Sequence, residues 1–198
     1  MRALILAGLL SLAGFGASAQ DTEILPKDIQ IKTATLAVPE EDRDEAMVYG
    51  YDESGEMVVL REGSNNLVCL ADDPNRKGIS VSCYSKKLDP FMARGRELQA
   101  EGKEMMEVRE TRRQEAEDGS LKLPDSPSMT YILSGDEENY NKETGELKDS
   151  HMRYVIYMPY ATTEETGLPD KPHLPGMPWL MDPGTHRAHI MITPPREQ

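Results

Sequence analysis

Short runs in which apolar and polar residues alternate recur along the chain, and a period of two is typical of half-buried β-strands. The clearest signal is a pair of runs, Met47–Tyr51 and Met57–Leu60, on either side of a short loop that ends in Gly55. This arrangement predicts a β-hairpin. Further strands are predicted over Leu67–Leu70, Met129–Leu133, His151–Tyr160 and Arg187–Thr193.

The pattern changes between Leu88 and about Glu117, where Glu, Arg, Lys, Gln and Met predominate. These residues favour a helix, and Phe91, Leu98 and Met105 recur every seven positions on one face of it. The sequence therefore predicts one long helix that covers a sheet.

The stretch before the first predicted strand is polar. Residues 20–32 show no apolar period and predict a loosely held N-terminal arm, and Pro39 followed by three acidic residues predicts a short helix that ends near Met47. Together these elements predict an α+β domain with a mostly antiparallel sheet of about five or six strands. We expect residues 20–198 to form this single domain.

The first 19 residues have a different character. A single charge at Arg2 precedes an apolar run, and the segment ends in Ala17-Ser18-Ala19, the small-x-small pattern of a signal-peptidase site. Residues 1–19 are therefore predicted to be a signal peptide that is cleaved after Ala19. The apolar run is too short to span a bilayer, and Gln20 stands where a lipoprotein needs a cysteine. We expect a periplasmic or secreted domain with no membrane anchor.

The chain has two cysteines, Cys69 and Cys83, and export would place them in an oxidising compartment. In an oxidising compartment such a pair usually forms a disulfide, and a loop of this length makes the bridge worth roughly 3 kcal/mol in the chain-entropy model. The two residues are too far apart for the Cys-x-x-Cys spacing of a dithiol redox centre. We predict a structural disulfide that ties the strand Leu67–Leu70 to the segment after the Asp72–Gly78 loop.

The charge balance narrows the choice of partners. The chain has 22 basic and 35 acidic side chains and a formal net charge of −13. A nucleic-acid surface must be locally positive, and the densest basic cluster, Arg109, Arg112 and Arg113, is interleaved with glutamates. Nucleic acid is therefore not an expected partner, and we expect an extracytoplasmic ligand or protein. Acidic pairs such as Asp72-Asp73 lie in predicted loops and are expected to be solvated.

Histidine and methionine are concentrated near the C-terminus. Imidazole and thioether groups together suit copper, and imidazole suits zinc. No His-x-His or His-Glu-x-x-His spacing is present, and methionine is also a common core residue. The expected cofactor is none, with copper or zinc as the alternative. The candidate metal ligands are His173, Met177, Met181, His186 and His189.

Two blocks stand apart from these patterns. One runs from Leu60-Arg61-Glu62-Gly63 to the two cysteines, and the other runs from Pro178-Trp179 to His189-Ile190-Met191. Both resemble blocks of an uncharacterised family of small exported bacterial proteins. The resemblance implies one small domain and no known reaction, and residues 84–117 depart from the family pattern. The residues that it marks are Arg61, Glu62, Cys69, Cys83, Trp179 and His189.

Two kinds of function remain open. The leading hypothesis is a non-enzymatic binding or accessory protein, because the chain contains no Gly-x-Ser-x-Gly elbow or other catalytic spacing. Its ligand pocket is expected between Trp179 and Arg61. The alternative is a copper-binding protein that uses the C-terminal histidines and methionines, or a metal-assisted hydrolase. The hydrolase would use His189 and Glu62 beside Arg61, with His186 or His173.

Overall fold

The computed structural model of this chain describes residues 23–196, so the predicted signal peptide, residues 1–19, lies outside the described residues. None of the helices between residues 23 and 196 is long and apolar enough to cross a membrane. The strands are β1 (Met47–Tyr51), β2 (Met57–Arg61), β3 (Leu67–Leu70), β4 (Ile79–Ser85), β5 (Ser128–Gly135), β6 (Tyr140–Asn141), β7 (Glu146–Leu147), β8 (His151–Tyr157), β9 (Trp179–Met181) and β10 (His189–Ile192). The helices are α1 (Lys27–Thr35), α2 (Glu40–Arg43), α3 (Asp89–Ala100), α4 (Met105–Glu117) and α5 (Thr163–Thr166).

Eight strands form one mixed sheet in the order β2-β1-β3-β4-β5-β8-β10-β9, and β6 and β7 form a separate small hairpin. Neighbouring strands in the sheet are antiparallel except β1 and β3, which run parallel because the chain leaves β2 and returns on the other side of β1. The predicted α+β class and the β1–β2 hairpin are confirmed. The prediction of five or six strands is wrong, because β4 and the short β9 also join the sheet.

Helices cover the two faces of the sheet. On one face α1 packs across β1 to β4, and on the other face α3 and the turn before it pack on β3 and β4. Because successive residues of a strand point to opposite faces, neighbours such as Val68 and Cys69 belong to different core layers. The layer under α1 contains Ala34, Val48, Cys69, Val81, Cys83 and Leu133. The layer under α3 contains Val68, Tyr84, Leu88, Phe91 and Leu121.

The predicted loose arm is wrong from residue 27 onward, because α1 forms there and packs on the sheet. Its buried side chains are mostly small or polar, so an apolar period is almost absent from its sequence. The helix is held by specific contacts with the sheet rather than by a broad apolar face. Its buried residues are Ile29, Gln30, Thr33, Ala34 and Thr35.

The predicted long helix is also wrong, because the segment forms two helices, α3 and α4. Gly102 has a φ of +80°, and the Lys103 N–H donates to the Leu98 carbonyl at 3.1 Å, which together end α3 in a Schellman turn. The Glu107 carboxylate then accepts the Glu104 N–H at 3.0 Å and starts α4. The seven-residue apolar repeat therefore crosses a helix end.

The predicted disulfide is confirmed. Cys69 and Cys83 lie directly opposite each other on β3 and β4, and their sulfur atoms are bonded. Both are fully buried. The Cys83 Sγ atom lies 3.3 Å from the Ala34 carbonyl oxygen, so the bridge sits directly under α1.

The Leu-Arg-Glu-Gly block forms the crossover from β2 to β3. The Arg61 guanidinium donates to two backbone carbonyl oxygens. Its Nη2 atom lies 2.9 Å from the Ala46 oxygen and also donates to the Arg43 oxygen. Gly63 packs against the same backbone, since a Cβ atom at this position would lie 2.6 Å from the Ala46 carbonyl carbon. Glu62 is exposed. The block is thus explained by chain packing.

We expect Gly63→Ala to destabilise the protein by about 3 kcal/mol or more, because the new methyl group meets backbone that cannot move away. The matched control is Gly55→Ala, at a position with a φ of +80° and no atom near the added Cβ. It should cost only the roughly 1–2 kcal/mol of a left-handed residue. Urea unfolding measures both. Equal losses for the two variants would contradict the close packing at Gly63.

Candidate functional site

A cavity of about 140 Å³ lies at one end of the sheet, where β1 and β3 end and β4 begins. We call it the Asp72 cavity. Four parts of the chain form its wall: α1 with the residues just before it, the end of β1, the loop between β3 and β4 with the first residue of β4, and the β6–β7 hairpin with the residues that lead into it. The side chains that the following argument uses are Gln30, Thr33, Tyr51, Asp72, Arg76 and Tyr140.

Gln30 fixes α1 to the sheet beside this cavity. Its amide nitrogen donates to the Tyr51 carbonyl at 2.9 Å, and its amide oxygen accepts the Tyr51 N–H at 2.8 Å. The side chain thus pairs with β1 as a neighbouring strand would. Gly50 makes room for it, because a Cβ at that position would lie 2.5 Å from the Gln30 amide oxygen.

Thr33 connects α1 to the β6–β7 hairpin on the other side of the cavity. Its hydroxyl donates to the Ile29 carbonyl at 2.9 Å, so in its 2.7 Å contact with Tyr140 the phenol donates to the Thr33 oxygen. Lys142, in the turn of the same hairpin, pairs with Glu23 at 2.7 Å. The wall of the cavity is therefore held by hydrogen bonds between elements far apart in sequence.

Asp72 supplies the carboxyl group of the cavity wall. One of its oxygens accepts the Ser80 N–H at 2.7 Å. Burial raises the pKa of Asp72 to about 6, and the neighbouring Asp73 and Glu137 carboxylates add to this, while the Ser80 hydrogen bond and Arg76 oppose it. A carboxylate with a raised pKa is one whose charge is poorly solvated and incompletely paired.

Tyr51 is the second titratable group with a shifted pKa in the wall. Burial raises the pKa of Tyr51 to about 12, and Asp73 and Asp72 contribute in the same direction. The phenol therefore keeps its proton at neutral pH and can donate a hydrogen bond. Three acidic and two basic side chains line the cavity, and one of the basic groups, Lys142, is paired with Glu23. The cavity thus has a surplus of negative charge above pH 6.

The structure does not bring the predicted pocket residues Arg61 and Trp179 together. Arg61 belongs to β2 and Trp179 to β9, which are the two edge strands of the sheet with six strands between them. At about 4.8 Å per strand this separates them by more than 30 Å along the sheet. The predicted hydrolase set is divided in the same way, because Glu62 follows β2 and His189 lies in β10.

The histidines of the last block occupy separate places. His189 is buried, and its Nδ1–H donates to the Arg187 carbonyl at 2.6 Å, while its ring lies 5.1 Å from that of Tyr157. His186 is also buried, with its ring against Phe91. Burial lowers the pKa of both histidines. These contacts describe neutral, packed side chains.

The remaining candidate metal ligands line a different surface. His173, Met177 and Met181 contribute, with Trp179, to an open groove of about 630 Å³ beside β9 and β10. Over residues 23–196, no three His, Cys, Asp or Glu side chains come together in a way that could hold a metal ion. This finding offers no support for a zinc site and does not concern methionine.

Comparison with known proteins gives no relative. No protein-family model, no curated protein and no solved structure matches this chain. The site must therefore be interpreted from its own geometry.

Sequence reasoning missed the Asp72 cavity for two reasons. The sequence predicts that the pair Asp72-Asp73 is solvated, yet Asp72 is only partly exposed because it lines a cavity whose wall α1 shares. The helix itself was not predicted. Gln30 gave no signal in the sequence, because its burial and its hydrogen bonds to Tyr51 arise only in the folded chain.

We expect Asp72→Asn to stabilise the protein above about pH 6. Burial raises the pKa of Asp72 from 3.8 to about 6, so the folded protein binds the proton more tightly than the unfolded chain. The wild type therefore loses stability as the pH rises from about 4 to about 6. The amide can still accept the Ser80 N–H. Allowing for solvent screening of a partly buried carboxyl, the gain should be about 1 kcal/mol near pH 8 and absent near pH 4.

Urea unfolding across this pH range measures the effect. The control is Asp73→Asn, which removes an equal charge one residue away without changing the cavity wall. It should give a smaller gain, because Asp73 contributes less than burial to the raised pKa of Asp72. A gain for Asp72→Asn that is the same near pH 4 and near pH 8 would contradict the raised pKa.

Proposed function

We propose that this protein is an exported, periplasmic or secreted, binding protein and that its ligand site is the Asp72 cavity. Export rests on the signal-peptide pattern of residues 1–19 and agrees with the Cys69–Cys83 disulfide, since such bonds persist in oxidising compartments. The interpretation as a binding protein rests on the cavity, whose wall places the partly buried Asp72 carboxyl beside apolar side chains.

The observation that carries the proposal is the partly buried Asp72 carboxyl with its pKa of about 6. A carboxylate that costs folding free energy is a marker of functional sites, because a bound partner can supply the missing stabilisation. A bound cation would pair with this group and favour its charged form. The net negative charge of the cavity wall would also attract this cation.

The shape of the cavity limits the ligand to a small molecule. Its volume of about 140 Å³ is close to the roughly 150 Å³ of an engineered cavity that holds benzene. Apolar side chains, among them Ile24, Leu25 and Ile79, line part of the wall, and Tyr51 offers a hydroxyl donor. The best-matched ligand is a small organic cation, an ammonium or guanidinium group on a compact apolar body.

A metal-assisted hydrolase has less support, because Arg61 and Glu62 lie at one edge of the sheet and His189 lies near the other. Copper binding depends on the groove beside β9 and β10 and is independent of the Asp72 cavity.

Matched pairs of small ligands test this proposal. We expect n-butylamine and benzylamine to bind more tightly than n-butanol and benzyl alcohol, and we expect amine binding to strengthen as the pH rises through about 6. Asp72→Asn should weaken amine binding roughly 10- to 100-fold, as expected for loss of a charged hydrogen bond worth about 1.5–3 kcal/mol. Protein-observed NMR shifts near Tyr51 and Asp72 provide the measurement.

The control variant is again Asp73→Asn, which should keep the preference for amines. Two results would overturn the proposal. In one, alcohols bind as well as their matched amines; in the other, Asp72→Asn and Asp73→Asn lose amine binding equally.

A further inference from the structure

The groove beside β9 and β10 combines side chains that bind soft metal ions. We call it the thioether groove. It lies at the opposite edge of the sheet from β1 and β2, so it is separate from the Asp72 cavity. The side chains that define it are Arg153, His173, Met177, Trp179, Met181 and Met191.

Strand register places three of these side chains on one face. Trp179 of β9 lies directly opposite Met191 of β10, and directly opposed residues of antiparallel strands have Cβ atoms about 4.5–5.5 Å apart. Met181 is two residues beyond Trp179 on the same strand and therefore points to the same side. Two thioethers and an indole ring are thus neighbours on a rigid part of the sheet.

The proline-rich loop before β9 adds the remaining groups. The Met177 N–H donates to the Leu174 carbonyl at 3.1 Å, which closes a turn between His173 and Met177. Gly176 packs closely against Pro195, since a Cβ at Gly176 would lie 3.1 Å from the proline Cδ atom. The loop is therefore held against the C-terminal segment, with the imidazole and the third thioether facing the same groove.

The chemistry of this set selects a soft monovalent ion. No carboxylate lines the groove, so the charged ligands that calcium and magnesium prefer are not among its side chains. Both cysteines are in the disulfide. Thioether ligands favour Cu(I), and an indole face attracts a nearby cation. Arg153 also lines the groove, and its charge repels a divalent ion about twice as strongly as a monovalent one.

We propose that the thioether groove binds one Cu(I) ion through His173, Met177, Met181 and Met191, with the ring of Trp179 against the ion. His189 lies directly opposite Met181, but it is left out of the ligand set because its ring is buried against Tyr157 and its Nδ1–H donates to the Arg187 carbonyl. His186 is left out because its ring is buried against Phe91. Thioethers suit an exported protein, since they do not form disulfides.

Trp179 is the only tryptophan of the chain, so its fluorescence reports on this groove alone. The experiment titrates the disulfide-bonded protein with Cu(I), held reduced by ascorbate rather than by a thiol, against a chromophoric Cu(I) chelator. We expect one equivalent to bind and to quench the Trp179 emission. Ag(I) should act in the same way, and Zn(II) and Ca(II) should have no effect.

The variants separate ligands from bystanders. The triple variant Met177→Leu, Met181→Leu, Met191→Leu removes three thioethers and nearly keeps the side-chain volume. It should bind Cu(I) about 100-fold more weakly or worse. Loss of a residue that only supports a metal ligand typically weakens binding by roughly 10- to 100-fold. The matched control, Met105→Leu with Met106→Leu, replaces two exposed methionines elsewhere and should bind as the wild type does. Because His173 is exposed, His173→Ala tests a ligand without threatening the fold and should also weaken binding.

The proposal fails if the wild type does not bind Cu(I), if binding leaves Trp179 emission unchanged, or if the triple variant and the control bind equally well. If the triple variant does not fold, undiminished Cu(I) binding by His173→Ala overturns the proposed ligand set.

Discussion

The bond between Cys69 and Cys83 is the constraint on which the rest of the structure depends. It joins directly opposite residues of β3 and β4 in the middle of the sheet. α1 packs directly on this disulfide. The chain between the two cysteines carries Asp72 and Arg76. A single covalent link thus fixes both the base of the cavity loop and the surface that receives the helix.

The cavity depends on α1 as much as on the Cys69–Cys83 disulfide. α1 has too little apolar surface to dock by hydrophobic burial alone. Its position is set by the hydrogen bonds between Gln30 and β1 and by the bond that the Tyr140 hydroxyl of the β6–β7 hairpin donates to Thr33. Such contacts fix direction as well as distance. They hold the helix over the loop and leave a cavity beneath it, in which a carboxyl group is kept from full contact with water. The charged form of Asp72 therefore costs folding free energy, and we propose that a bound ligand offsets this cost.

Much of the sheet could be predicted from sequence because its strands alternate in the ordinary way. The hairpin of β1 and β2, the strand β3 and the disulfide follow from local patterns. The helices were harder, since Gly102 lies within an apolar repeat but adopts a left-handed conformation, and α1 buries polar residues. The site depends on contacts such as that of Gln30 with Tyr51, between segments about 20 positions apart, and no local pattern encodes them.

The C-terminal block shows the same division. His186 and His189 are close to His173 in sequence. In the fold, however, His186 and His189 are buried, and His173 lines the groove. Met177 and Met181, which are candidate metal ligands on sequence grounds, both line the groove beside Trp179. Met191 belongs to the same stretch of sequence, but the strand pairing that places it opposite Trp179 could not be predicted, since β9 is only three residues long.

The central claim is that the folded chain holds the Asp72 carboxyl partly out of water. The most direct test is an NMR titration of the side-chain carboxyl carbon of Asp72 in the disulfide-bonded protein. The account predicts a midpoint at about pH 6. A midpoint near 4, the value of a solvated aspartate, would contradict it.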